Sequence, residues 1–489
     1  MAKKGSKKAK KEQHTPPEAA LEAAESAQSS DDNEPWLPEV GDDTYHLSVD
    51  QIYAVEDALE AGDEATVRLL VADLHEADLA DLFEGLDRDD RLKLVTLLGH
   101  DFDPEVLPHL DSSVFEEIAE VMRPQDLARS LTELTSDDAV EVLEEFDEDQ
   151  QSEILAALEP QDRLLLEESL TFPEDSAGRI MQREIVVVPE TWNVGETIDY
   201  MRAAKDLPDD FYTLYVVDPK HHPVGGLPLS RVMRTRRPVS LTEIMDTDLK
   251  TIPVTMDQEE VAYLFRQYYW VSAPVIDDSG RLLGVITVDD VVDIIDEEAE
   301  EDLLKLGGVR EADFYSDLKD TVKARSSWLF VNLLTAIFAS AVISFFEGTI
   351  EKLVALAVLL PIVASMGGNA GTQTLTVAVR AIAMKDLSEA TAARFIGKEI
   401  AVGLLNGLVF AIIAGGLTWF WAGDPWLGAI IAAAMVVNMI VAGLAGTLIP
   451  LGLEKFNVDP AVASSVFLTT MTDVVGFFAL LGLAALFLL

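Results

Sequence analysis

After Ser327 the chain turns apolar, in five blocks: Trp328–Phe346, Leu353–Met384, Phe395–Ala422, Trp426–Leu453 and Ala461–Leu489. Each supplies the ~20 apolar residues that a helical bilayer crossing needs. The breaks between them carry turn residues or charge: Glu347-Gly348, Lys385-Asp386, Gly423-Asp424-Pro425, and Glu454 to Pro460. Hydrocarbon offers no partner to a backbone N–H or C=O, so spans of this kind are confined to helices that satisfy themselves. Residues 328–489 are therefore expected to form a transmembrane domain of five helices.

What precedes it is a different material. The whole chain carries a net charge of −50, yet residues 328–489 hold six Lys/Arg against nine Asp/Glu, so almost all of the negative charge lies in residues 1–327. So acidic a half makes nucleic acid an improbable partner. Its bulk charge fits either a soluble, high-salt surface or a carboxylate store for divalent cations. There is no cysteine, which removes thiolate metal sites, disulfides and a Cys nucleophile. Residues 1–47 are Lys-rich and then polar, without the apolar run of a signal peptide, and are expected to be disordered, with the soluble half cytoplasmic. Inward loops would then hold Arg380, Lys385, Arg394, Lys398 and Lys455, against Lys352 outside. That charge bias places the C-terminus outside.

Residues 48–172 read as short amphipathic helices such as "PQDLARSLTEL" and "SDDAVEVLEEF", each opening on Ser, Asp or Pro with acids in the first turn. Units of this size bury a face only by stacking, which predicts a helical superhelix. Solvation is the expected role of most of their acids. From residue 173 the pattern becomes strand and helix, twice over. "IMQREIVVVPETWNVGETIDYMRAA" and "LYVVDPKHHPVGGLPLSRVM" are echoed by "IMDTDLKTIPVTMDQEEVAYLFRQY" and "APVIDDSGRLLGVITVDDVVDII". The repeat resembles a tandem pair of CBS modules, residues 173–239 and 240–297. A connecting helix, residues 298–327, is the only covalent route from these modules to the membrane.

Within the last apolar block, "VFLTTMTDVVGFF" places Asp473 among Thr469, Thr470, Thr472 and Gly476. A charge at the bilayer centre costs roughly 2.5–3.5 kcal/mol even on lenient scales, so Asp473 is expected to face water or a partner. In the second block, "MGGNAGTQTLTVAVR" collects Gly367, Gly368, Asn369 and Gly371, with Pro361 before them. Broken helices present carbonyls to ions, which predicts an unwound stretch here with Asn369 and Gln373 free to touch a hydrated cation. A Gly367-x-x-x-Gly371 packing contact is the competing explanation.

These motifs, with "PEDSAGRIM" at 173–181 and the order of helical, CBS-like and five-span segments, resemble the MgtE family of magnesium channels/transporters. The resemblance implies a homodimer in the cell membrane whose pore is lined by the second and fifth spans, with Asp473 of each chain and Asn369 at a central site. It further implies regulatory Mg²⁺ sites among Asp257, Glu259, Asp290, Glu298, Glu301, Asp302 and Asp459, closing the pore when internal Mg²⁺ is plentiful. "FRQYYW" supplies Arg266 and Tyr269 where relatives tend to carry acids, which implies fewer or weaker sensor sites.

Mg²⁺ keeps most of its waters and takes one or two carboxylates, a habit that one Asp473 per subunit would suit. The spans hold neither His nor Cys, which disfavours zinc and copper. Mn²⁺, Co²⁺ and Ca²⁺ stay open, as does ATP at the CBS pair. The alternatives are a secondary-active divalent cation carrier and a membrane-anchored nucleotide or ion sensor without transport. No nucleophile–base set suggests an enzyme.

Overall fold

The computed structural model describes residues 47–309 apart from 206, 209 and 210, and residues 318–488 apart from 386, 388 and 457. The N-terminal extension and residues 310–317 of the expected connecting helix lie outside the described residues. The chain divides into two compact units, the first ending at Asp73. The first contains α1 (Val49–Ala61) and α2 (Glu64–Val71). Ser48 and Gln51 form a capping box at the start of α1, and Gly62, in the left-handed region at φ +67°, closes it. The helical segment expected over 48–172 therefore belongs to two units rather than one.

The second unit begins with a run of short helices: α3 (Glu76–Gly85), α4 (Arg88–Leu98), α5 (Ser112–Ala119), α6 (Pro124–Glu133), α7 (Ser136–Glu144), α8 (Glu148–Ala157) and α9 (Pro160–Ser169). Asp87, Asp111 and Asp147 cap α4, α5 and α8 from their side chains, which is why the sequence restarts a helix every ten to twelve residues or so. Stacking buries Leu82, Phe83, Leu94, Phe115, Ile118 and Leu143, as the periodicity predicted.

Two three-stranded sheets follow. In the first, β1 (Val187–Pro189) lies parallel to β2 (Thr213–Val217), which pairs antiparallel with β3 (Pro223–Pro228). In the second, β4 (Ile252–Pro253), β5 (Ser272–Ile276) and β6 (Leu282–Thr287) repeat that order. Helices α10 (Val194–Ala203), α11 (Leu229–Arg234) and α12 (Leu241–Ile244) complete the first module, and α13 (Gln258–Tyr268) serves the second. The two Ile-Met pairs cross over. Met181 packs into the core of the second module with Ile252, Val261 and Phe265, while Met245 packs against the core of the first. Gln182 N–H donates to Val285 O, and Asp246 N–H donates to Gly226 O. Each module thus lends its leading segment to the other. A shared core of Tyr215, Val217, Leu282 and Val285 closes the seam.

α14 (Val288–Gly307) starts inside the second module, through a capping box between Thr287 and Asp290, and ends at Gly308, held at φ +68°. The expected helix over 298–327 is therefore not a single element. Its first part is the end of α14, and by Leu318 the chain has entered α15 (Leu318–Ser344), the first of five helices long and apolar enough to cross a membrane. After α16 (Glu347–Lys352) come α17 (Ala355–Ala383), α18 (Glu389–Ala422), α19 (Pro425–Lys455) and α20 (Pro460–Phe487). α19 is central, packing on α17, α18 and α20. Two of the apolar cores in the bundle each span α17, α19 and α20. One joins Leu356, Leu359 and Val363 to Ile431 and Leu480; the other joins Leu375 and Val379 to Ala445, Ala461 and Leu468, with Leu306 of α14 against it.

α17 runs unbroken through Gly367–Gly371, against the expectation of an unwound stretch. A glycine in a helix costs about 1 kcal/mol. A backbone group left unpaired in hydrocarbon costs several, so the helical bonds win.

Candidate functional site

Gly367 and Gly371 of α17 face inward, and Gly368 does not. Gly367, Gly371, Thr374 and Ala378 are buried, whereas Ser365, Asn369, Thr372, Gln373 and Thr376 are exposed, so the helix has a close-packing face and a polar face. A Cβ on Gly371 would stand 2.7 Å from Leu468 Cδ1, and one on Gly446 of α19 would stand 2.8 Å from Gly371 O. The packing explanation holds for Gly367 and Gly371. Asn369, Thr372 and Gln373 answer to a different need on the opposite side.

On the neighbouring α20, Ser465, Thr469 and Asp473 recur at i, i+4 and i+8, and all are at least partly accessible. Thr372 Oγ1 donates to Gly368 O at 3.0 Å, Thr376 Oγ1 to Thr372 O at 3.0 Å, and Thr469 Oγ1 to Ser465 O at 2.9 Å. Each threonine proton is thereby occupied on its own helix, and the hydroxyl oxygens stay available as acceptors for a hydrated cation. Asp473 has no hydrogen bond or ion pair among the described residues. Two polar stripes on packed helices, open on the outer side of one chain, are poorly suited to lipid.

Asp473 is not the lone carboxylate in the spans. Glu399, near the start of α18, is buried and accepts a 3.0 Å hydrogen bond from Thr374 Oγ1 on α17. Its position near the end of an apolar block and beside Lys398 disguised it in the sequence.

The carboxylates outside the apolar spans divide into two groups. Along the helical segment and α14, Asp137 is only 7% exposed and neither of its carboxylate oxygens has a partner. Burial, and then the charges of Asp290 and Asp138, push its carboxyl well above the usual range. Desolvation of its carboxyl and the charge of Glu297 push Glu141 up to about 8, although the residue as a whole stays exposed. Asp290 is pushed up to about 6, chiefly by burial, although it accepts from Thr287 Oγ1 at 2.7 Å. Asp293 is raised by burial as well. Of this group only Asp290 was expected. A reading of these acids as solvated helix surface passes over the spacing of Asp137, which falls on the side of α7 that carries buried Val140, whereas Glu141 does stay exposed.

The second group lies where α13, α14 and α20 approach. Asp257 caps α13 by accepting from Glu259 N–H at 3.0 Å. Glu259 is pushed up to about 7 by burial and then by Glu298, Asp257 and Asp302. Glu298 is raised by burial and accepts from Gln258 Nε2 at 2.9 Å; Asp302 is raised by burial and by Asp459. Glu301 and Asp459 are separated by a built-in cation, because Lys305 Nζ pairs with Glu301 and stands 2.9 Å from Asp459. Asp459 also caps α20, accepting from Ala461 N–H at 2.7 Å. Lys385, in the loop after α17, pairs with Glu260 at 3.3 Å and stands 5.3 Å from the Tyr263 ring centroid. Arg266 also sits over that ring, and Tyr269 is exposed at φ +53°. The structure thus brings Asp257, Glu259, Glu298, Asp302 and Asp459 into one region, with Glu301 held by lysine, and puts Asp290 elsewhere. Among the described residues no three His, Asp or Glu side chains converge closely enough to hold a metal ion.

Residues 360–483 match the family described as divalent cation transporter, residues 74–175 the MgtE intracellular N domain, and residues 177–236 and 241–297 the CBS domain. The magnesium transporter MgtE of Thermus thermophilus is 33% identical over 441 residues, covering 89% of this chain and 98% of that protein. That of Bacillus subtilis is 30% identical over 65% of this chain and 71% of its own length. A crystal structure of the cytosolic domain of the Mg²⁺ channel MgtE in complex with ATP overlaps 50% of this chain and 99% of its own, at 32% identity and a TM-score of 0.47.

Proposed function

Because this chain belongs to the MgtE family, divalent cation transporters with cytosolic N and CBS domains, we propose that it conducts Mg²⁺ across the cell membrane as a homodimer. The observation that carries this reading is the pair of accessible polar stripes on α17 and α20, with Asp473 unpaired among the described residues. Placed against a second copy, the stripes would enclose a path with one carboxylate per chain. Two carboxylates balance one Mg²⁺, while threonine oxygens and Asn369 meet its retained waters. So few protein ligands leave the ion free to move on.

Gating follows from the cytoplasmic carboxylates. Packed together without a divalent ion, Asp137, Asp138, Glu141, Asp290 and Glu297 repel one another, as do Asp257, Glu259, Glu298 and Asp302 near Asp459. Mg²⁺ bridging pairs of them favours the compact state, and an ion that binds one state better shifts the population toward it. With only pairs of carboxylates in reach, each site is weak. Several together approach the ~5.5 kcal/mol that swings a two-state equilibrium from 1:99 to 99:1. In this reading residues 1–327 face the cytoplasm and the C-terminus lies outside.

The test is Mg²⁺ uptake into proteoliposomes at low and high Mg²⁺ on the cytoplasmic side, with Asp473→Ala in parallel. Uptake should fall about a hundredfold in the variant, in line with the scale of a buried charge. Wild-type-like uptake by Asp473→Ala would remove the path assigned here and favour a sensor without transport. Strict coupling to protons or sodium would favour a carrier. ATP at the CBS pair is tested by protease protection of the soluble half with nucleotide in place of Mg²⁺.

A further inference from the structure

Asn438 stands in the middle of α19, which contributes nothing to the two polar stripes, and is fully buried. Its Nδ2 donates to Val363 O of α17 at 2.8 Å. The amide is flanked by two glycines on the two stripe-bearing helices. A Cβ on Gly476 of α20 would lie 2.8 Å from Asn438 Nδ2, and a Cβ on Gly367 of α17 would overlap the amide outright. Asn438 Oδ1 has no partner. A leucine would fill the same volume at lower cost in a membrane, since it strands no polar atom. What the amide adds is a directed tie between helices.

The place of that tie matters. Gly367 is two residues before Asn369, and Gly476 is three residues after Asp473. The amide therefore seats α17 and α20 at the turns that carry the two polar groups of the proposed path. Resting on that reading, we infer that Asn438 is a positioning residue. It touches no ion, but it fixes the spacing and rotation of Asp473 against Asn369, and through them the ranking of cations that pass. Gly367 and Gly476 are its seats, so their lack of a side chain and the asparagine form one device. A hydrated ion is selected by how far apart its few protein contacts are held, so a change in spacing changes the ranking before it abolishes flow.

The test compares Asn438→Ala, Asn438→Leu, Gly476→Ala and the double Asn438→Ala/Gly476→Ala variant of the full chain in proteoliposomes, for Mg²⁺, Mn²⁺, Co²⁺ and Ca²⁺. Asn438→Ala and Asn438→Leu should change the Mg²⁺-to-Ca²⁺ uptake ratio by about threefold or more, the scale of one interhelical hydrogen bond. Gly476→Ala should cut uptake about tenfold because its methyl meets the amide. The double variant should recover much of that loss, since two groups in contact are not additive. A role in stability alone would lower the amount of functional protein and leave the ratio untouched. Unchanged ratios in both Asn438 variants, or additive losses in the double variant, would overturn the inference. Asp473→Ala separates the two levels: if it still transports, the path itself is wrong, whereas if it fails and the Asn438 variants behave as wild type, only this inference falls.

Discussion

The soluble half and the membrane half both use carboxylates, in opposite densities. In the soluble half, burial and the charge of neighbouring acids hold the carboxyls of Asp137, Asp138 and Asp290 above the usual range. In the bundle, Asp473 stands apart from any charged partner among the described residues, on a helix whose accessible stripe otherwise carries hydroxyls. Crowding stores repulsion that a divalent cation can relieve, which suits a surface that must respond to concentration. Isolation keeps binding weak, which suits a path that must release its ion. One element, charge, does two jobs because its spacing differs.

That contrast breaks most readily by separating the two halves. Asp473→Ala should abolish uptake and leave the Mg²⁺-dependent protection of the soluble half from protease as in wild type. Asp137→Asn should instead shift that protection and leave the path itself intact. It replaces a buried carboxyl whose oxygens have no partner with a neutral amide, so the soluble half should become protease-resistant at a Mg²⁺ concentration about tenfold lower, with uptake reduced at low Mg²⁺ because the closed state is favoured. If Asp137→Asn digests as wild type at every Mg²⁺ concentration, the repulsion assigned to that interface is not what opens it.

Much of this plan was legible in the text of the chain. The five spans, the helical segment and the doubled strand–helix pattern follow from periodicity and turn residues, and Asp473 declares itself by being a charge in an apolar run. Three things were not legible, for physical reasons. The glycines of α17 looked like a break because local propensity says so, but the missing Cβ is needed by Leu468, Asn438 and α19, which are distant in sequence. Asp137 reads as solvated because most acids on short helices are, and only the packing of α7 in the folded chain buries it. The exchange of Ile180-Met181 and Ile244-Met245 between modules is invisible to any reading that takes each repeat by itself.

A smaller effect is expected at the junction of the two halves. Lys305 supplies a fixed cation between Glu301 and Asp459, with side-chain exposures of 28%, 41% and 36%. Pairs this exposed contribute at most about 1 kcal/mol. Lys305→Gln should therefore weaken closure about threefold to fivefold at low Mg²⁺, and raise the steepness of the Mg²⁺ response as the freed carboxylates become available to a divalent ion. Uptake measured across a Mg²⁺ series checks both. A response curve unmoved in midpoint and slope would show that the lysine merely packs.

The smallest effect is that of pH, and it has a defined sign. Glu141 and Glu259 are held at about 8 and about 7 in the folded state, above the ordinary Glu value of 4.5. A carboxyl whose folded value is raised keeps its proton longer when folded than when released, so the compact state is favoured below the ordinary value and loses that advantage as pH rises toward the folded one. Between about pH 5 and pH 8 the compact, closed arrangement should weaken with rising pH in the absence of Mg²⁺. Both groups are measured against their own interfaces, so Glu141→Gln should remove the upper part of this dependence and Glu259→Gln the lower. Mg²⁺ competes with the same protons, so raising the pH should lower the Mg²⁺ concentration needed for protection relative to the open baseline, by about threefold per unit for partial proton release. In saturating Mg²⁺ the carboxylates are already neutralised and pH should matter little. Equal pH dependence with and without Mg²⁺ would mean that these groups titrate independently of the ion, and the crowded interface would then be no more a sensor than the solitary Asp473.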